Sequence, residues 1–80
     1  MTADVEQGPT WEETSGFVSS NIAAFRFDKT TDTLQIDFQD GSTYEYYNCA
    51  PATHRMFQAS GSKGDFFQRH IKNRLPYERV

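Results

Sequence analysis

The sequence predicts an α+β fold: a small antiparallel β-sheet of about three strands, followed by two short C-terminal helices packed on it. Three observations predict it. Leu34, Ile36 and Phe38 alternate with Gln35, Asp37 and Gln39 at the period of a half-buried strand. Asp40 and Gly41 break that run before Tyr44, Glu45, Tyr46 and Tyr47 resume it, which is the pattern of a hairpin. Further on, Pro51 and Ser62 occupy positions where helices start, so strands precede helices in the chain.

Before the first strand, residues 1–16 contain Asp4, Glu6, Glu12 and Glu13 with Gly8 and Pro9, and no apolar run. That composition predicts an acidic, flexible arm, with Trp11 able to pin one point of it to a single domain spanning residues 17–80. It also lacks the basic and apolar regions of a signal peptide or membrane span, so a soluble cytoplasmic protein with no membrane contact is expected. Eighty residues bury only roughly 60–65% of the unfolded surface, and stability then depends on a few large side chains, here seven Phe, four Tyr and one Trp. Cys49 is the only cysteine, which excludes an internal disulfide and a site of several thiolates.

The first strand is read from Ile22 to Asp28, with Ala23, Phe25 and Phe27 on one side and Ile22, Ala24, Arg26 and Asp28 on the other. Lys29 to Asp32 turn into the Leu34–Phe38 strand. The connection after Phe38 decides where the tyrosines point. A two-residue turn at Asp40 and Gly41 pairs Phe38 with Thr43 and puts Glu45 and Tyr47 on its face. A three-residue loop with Gly41 left-handed pairs Phe38 with Ser42 and aligns Tyr44 with Ile36 and Tyr46 with Leu34. The second register is favoured, because it avoids burying Glu45 and Thr43 beside Phe38. A helix is then expected from Pro51 to about Ala59, burying Phe57 with Thr53 or His54 and ending at Gly61. Ser62, with Asp65 three residues later, caps a second helix running to Lys72 or Asn73, with Phe67 and Ile71 four apart on one face. Pro76 stops that helix, and Leu75 and Tyr77 are expected to fold back onto the core.

These residues resemble a known family. Phe17 to Ile22, then Leu34, Phe38, Gly41, Tyr44 and Tyr46, then Ser62, Lys63, Gly64, Phe66, Phe67 and Ile71, in this order and spacing, are similar to the KTSC domain. That small domain is found at the C-terminus of certain lysyl-tRNA synthetases and as stand-alone bacterial and phage proteins. The resemblance covers about residues 17–77 and implies the α+β fold and, through the synthetase association, an RNA-binding role. Two departures stand out: Pro51 comes one residue later than the family's proline, and Phe27 replaces a frequent Tyr.

The charges divide unevenly. Up to Thr53 two basic residues face nine acidic ones, whereas from His54 onward six basic residues face two acidic ones. An acidic total therefore coexists with a basic C-terminal segment able to face an anion. Tyr44, Tyr46 and Tyr47 supply stacking faces, and Lys63, Arg69, Lys72 and Arg74 a cationic track, the ingredients of single-stranded RNA or nucleotide binding. Ser62, Lys63 and Gly64 at a helix start, with Ser19, Ser20 and Asn21, complete the candidate ligand-binding set. An ordinary capped helix explains the same Ser62.

Catalysis is not expected. Ser19 or Ser20 with His54 or His70, and Cys49 with His54, are residue types that become a nucleophile and base only through geometry, and no nucleophile turn surrounds them. Two histidines and one cysteine give no metal-ligand spacing, so neither metal nor cofactor is expected. The sequence thus reads as a non-catalytic binding domain for RNA or a nucleotide. The alternative is a protein-protein interaction module, such as a small, phage-encoded regulator or inhibitor of a larger protein, using aromatic anchors and a strand edge.

Overall fold

The computed structural model describes residues 11–80. Its elements are β1 (Trp11–Thr14), β2 (Ile22–Asp28), β3 (Thr33–Phe38), β4 (Thr43–Tyr46), α1 (Pro51–Ala59), α2 (Lys63–His70) and β5 (Tyr77–Arg79). All five strands form one antiparallel sheet in the order β1-β2-β3-β4-β5. The expected α+β layout is present, but the expected three strands are five. The two extra strands are the sheet edges, and each is short and polar enough to hide from a periodicity argument.

At one edge, Trp11 to Thr14 pair with Asp28 to Phe25. The flexible arm expected through residue 16 is therefore corrected over these four residues, where backbone pairing outweighs polar composition. Its first ten residues lie outside the described ones. At the other edge, Tyr77 pairs with Tyr46 and Arg79 with Tyr44, which carries the expected fold-back of Tyr77 further into a strand.

Within the sheet, β2 departs from simple alternation. Ile22 pairs with Phe38 but Ala24 pairs with Asp37, so Ala23 is an extra residue. Such a bulge shifts the preceding side chain to the other face. Ile22 therefore joins Phe25 and Phe27 in the core, at 0% exposure, and Ala23 is exposed, the reverse of the alternation read from the sequence. The next hairpin follows the three-residue loop. Leu34 pairs with Tyr46 and Ile36 with Tyr44, Gly41 has φ of 90°, and the Phe38 N–H donates to the Ser42 carbonyl at 2.8 Å. Asp40 fixes the loop by accepting from both the backbone N–H and the hydroxyl of Ser42.

Both helices cover one face. From α1, Phe57 stacks on Phe25 at 4.0 Å between ring centroids and His54 stacks on Phe27 at 4.4 Å, so His54 rather than Thr53 accompanies Phe57 inward. From α2, Phe67 meets Phe38 at 5.3 Å and Tyr46 at 5.6 Å, and Phe66 stacks on Phe57 to join the helices. Helix α1 closes at Ser60, whose N–H donates to the Phe57 carbonyl, and does not use Gly61 as its terminator. Helix α2 starts as expected, with Ser62 Oγ accepting from the Asp65 N–H, but it ends at His70. The chain unwinds through Ile71 and Lys72 to Asn73, whose φ of 67° makes an asparagine-terminated helix end. That earlier end turns Lys72 and Asn73 toward the sheet.

Candidate nucleic-acid interface

Strands β3, β4 and β5 on one side and α2 on the other enclose an open cleft of about 620 Å³. The strand register builds its wall. Because Tyr44 faces Ile36, Tyr46 faces Leu34 and Tyr77 pairs with Tyr46, three tyrosines emerge on the helix-covered side. Their rings lie 5.6–6.4 Å apart, and Phe38 meets Tyr44 edge to face at 5.7 Å. Tyr46 is 5% exposed, while Tyr77 at the mouth is 60% exposed. Burial, with Tyr44 and Tyr77 close by, pushes the Tyr46 phenol up to about 12, so it stays a neutral hydroxyl at physiological pH.

Polar groups rim the cleft. Ser20 and Asn21 reach it from the loop before β2, Gln68, Lys72 and Asn73 from the end of α2, and Asp40 from the hairpin. Two hydrogen bonds from Ser42 hold the Asp40 carboxyl below its ordinary value. Adjoining the cleft is a second recess of about 480 Å³, lined by Ser19, Ser62, Lys63 and Gly64 and sharing Ser20, Asn21 and Gln68 with it. Here most polar groups already serve the fold. Ser19 Oγ accepts from the Asn21 and Ile22 N–H groups, and the Lys63 ammonium donates to the Ser60 carbonyl at 2.6 Å beneath the Phe17 ring.

The residues singled out in the sequence thus divide three ways. Ser20, Asn21, Tyr44, Tyr46 and Lys72 meet in the cleft, and Ser19, Ser62, Lys63 and Gly64 lie in the adjoining recess. Tyr47, Arg69 and Arg74 line neither. Tyr47 belongs to the opposite face, where its hydroxyl donates to Glu45 and Glu78. Desolvation, with those carboxylates, pushes its phenol up to about 12. Arg69 pairs with Asp65 one helical turn away at 3.0 Å, and Arg74 is exposed in the turn after α2. Among the cleft residues that sequence reasoning missed are Phe38, Gln68, Asn73 and Tyr77. Phe38 and Gln68 carried only core and helix signals, and Tyr77 enters through a long-range pairing.

No hydrogen bond joins the candidate catalytic pairs among the described residues. Cys49 is fully buried, and desolvation pushes its thiol up to about 11. His54 faces Glu12 with Nδ1 4.0 Å from the carboxylate, and its buried Nε2 has no hydrogen-bond partner among the described residues. Burial holds its pKa below the usual imidazole value. His70 packs on Phe66. Among the described residues no group of three or more His, Cys, Asp or Glu side chains is arranged to hold a metal ion, and no helix is long and apolar enough to cross a membrane.

The family model of the KTSC domain matches residues 18–77, a span that holds β2 to β4, both helices and the residues lining the cleft. The chain belongs to the KTSC domain family. Its similarity to a solved KTSC domain protein from Yersinia pestis extends over 89% of this chain and 99% of that one, at 27% identity and a TM-score of 0.83. Among curated proteins it is similar to lysine–tRNA ligases of Nostoc sp., 36% identical over 61 residues, and of Trichormus variabilis, 34% identical over 61 residues. Both matches cover 76% of this KTSC chain but only 11% of the ligase.

Proposed function

We propose that this KTSC domain is a non-catalytic binding module whose ligand is single-stranded RNA or a nucleotide, held in the cleft between α2 and strands β3 to β5. The observation that carries this reading is the wall of Tyr44, Tyr46 and Tyr77 opposite Lys72: ring faces for bases and a cation for phosphate on one concave surface. The similarity to lysine–tRNA ligases, proteins named for a tRNA substrate, supports the same reading. Electrostatics favour this side of the sheet. On the other side Glu13 and Asp37 pair with Arg26, and Glu45 and Glu78 lie further along the same cross-strand row, a surface that repels phosphate.

Tyr77→Ala tests it. Tyr77 is mostly exposed, so the variant keeps the fold, while a lost base stack weakens binding by about 1–3 kcal/mol, roughly 5- to 150-fold. Fluorescence anisotropy with labelled single-stranded RNA at low salt reads the change. A wild-type chain that binds no RNA under these conditions removes the reading. The acidic outer face favours a second reading, a module docking a basic protein segment, for which Tyr77→Ala has no effect.

A further inference from the structure

Resting on that reading, we propose that the cleft grips one or two unpaired nucleotides, by ring stacking and neutral hydrogen bonds with a single phosphate at Lys72, and follows no longer strand. The four cations that look like a track in the sequence are separated in the fold. Lys72 alone among them lines the cleft. The Lys63 ammonium is held by the Ser60 carbonyl and the Phe17 ring, Arg69 is held by Asp65, and Arg74 lies outside. Asp40, an ionised carboxylate on the same rim, opposes a second phosphate.

The neutral groups point the other way. The phenols of Tyr44, Tyr46 and Tyr77 and the amides of Asn21, Gln68 and Asn73 line the cleft, and none of these side chains hydrogen-bonds to another of the described residues. Tyr46 is the telling one, since its ring is buried in the core while its hydroxyl, unbonded among the described residues, opens to the cleft where a ligand can take it. Six such groups around one cation describe a site for bases and sugars more than for phosphates. The volume agrees, because about 620 Å³ lies in the range that encloses one small ligand such as a nucleotide.

Salt and length dependence test this. One phosphate contact on a single strand gives a slope near −0.7, so raising salt from about 50 to 200 mM weakens binding roughly 3-fold, whereas four contacts weaken it about 50-fold. With the full chain and single-stranded RNAs from one to about eight nucleotides, anisotropy competition is expected to show affinity levelling off at two nucleotides, a salt effect near the smaller value, and a flat response in Lys72→Gln. Arg69→Gln with Arg74→Gln leaves the length limit and the salt effect unchanged. Affinity that keeps rising with length, or a salt effect near the larger value, overturns the inference while RNA binding itself stands. Absence of binding at every length overturns both.

Discussion

On the helix-covered face of the sheet, Phe25, Phe27, Leu34, Ile36 and Tyr46 are buried against α1 and α2, and the uncovered remainder becomes the tyrosine cleft. On the opposite face, Arg26 of β2 donates to Glu13 of β1 and to Gln35 and Asp37 of β3, Asp37 accepts from Thr43, and Gln35 donates to Glu45. Both faces come from the same strands by alternation, yet one is held by apolar area and the other by charge. The difference shows where a ligand fits. The outer face has met its charges internally and is net acidic, whereas the inner face runs out of helix at β4 and β5 and leaves aromatic rings uncovered.

The comparison gives graded expectations. Phe25→Ala should have the largest effect, since it removes a fully buried ring stacked on Phe57. A loss of about 3–5 kcal/mol in denaturant unfolding is expected, enough to unfold much of a domain this size. Arg26→Ala should cost less, about 2 kcal/mol, by stranding Asp37 and Glu13 in a partly exposed network. If Arg26→Ala proved as damaging as Phe25→Ala, the outer face would be a second core.

Acid should separate the faces along the pH axis. His54, beneath α1, has a folded pKa lowered by burial, opposed by Glu12 and reinforced by Arg55. Its contribution is complete above the unfolded value of about 6.5 and is lost as pH falls from there toward the folded value. The Asp37 pKa is lowered by hydrogen bonding to Arg26, so its contribution is present above the ordinary 3.8 and is lost as pH falls toward the folded value. Melting temperature against pH should therefore fall in two steps, the upper absent in His54→Leu and the lower absent in Asp37→Asn. An upper step that survives His54→Leu would contradict the assignment. The smallest stability effect belongs to Tyr77→Ala, within about 0.5 kcal/mol, as for exposed substitutions generally.

How much of this was legible in the sequence follows from range. The β3–β4 register was readable because Phe38, Gly41 and the two tyrosines are neighbours in the chain, and burying Glu45 beside Phe38 decided between two turns. The start of α2 was readable from Ser62 and Asp65 for the same reason. Edge strands β1 and β5 were not, because Trp11–Thr14 and Tyr77–Arg79 become strands only by pairing with residues far along the chain. The bulge at Ala23 also escaped, since nothing in Ile22-Ala23-Ala24 marks the extra residue. At the site, residue types were legible and their grouping was not. Tyr47 differs from Tyr46 by one position and therefore by a whole face, and the early end of α2 at His70 decided that Lys72 enters the cleft while Arg69 and Arg74 stay out.

The central claim is that ligand meets the inner face at the tyrosine cleft. The most direct measurement is a proton–nitrogen NMR titration of the full chain with single-stranded RNA. The account predicts shifts grouped on Asn21, Tyr44, Tyr46, Gln68, Lys72 and Tyr77, with Glu13, Arg26, Gln35 and Glu45 still. Shifts grouped on Arg26, Gln35 and Glu45, with the tyrosines unmoved, would contradict it.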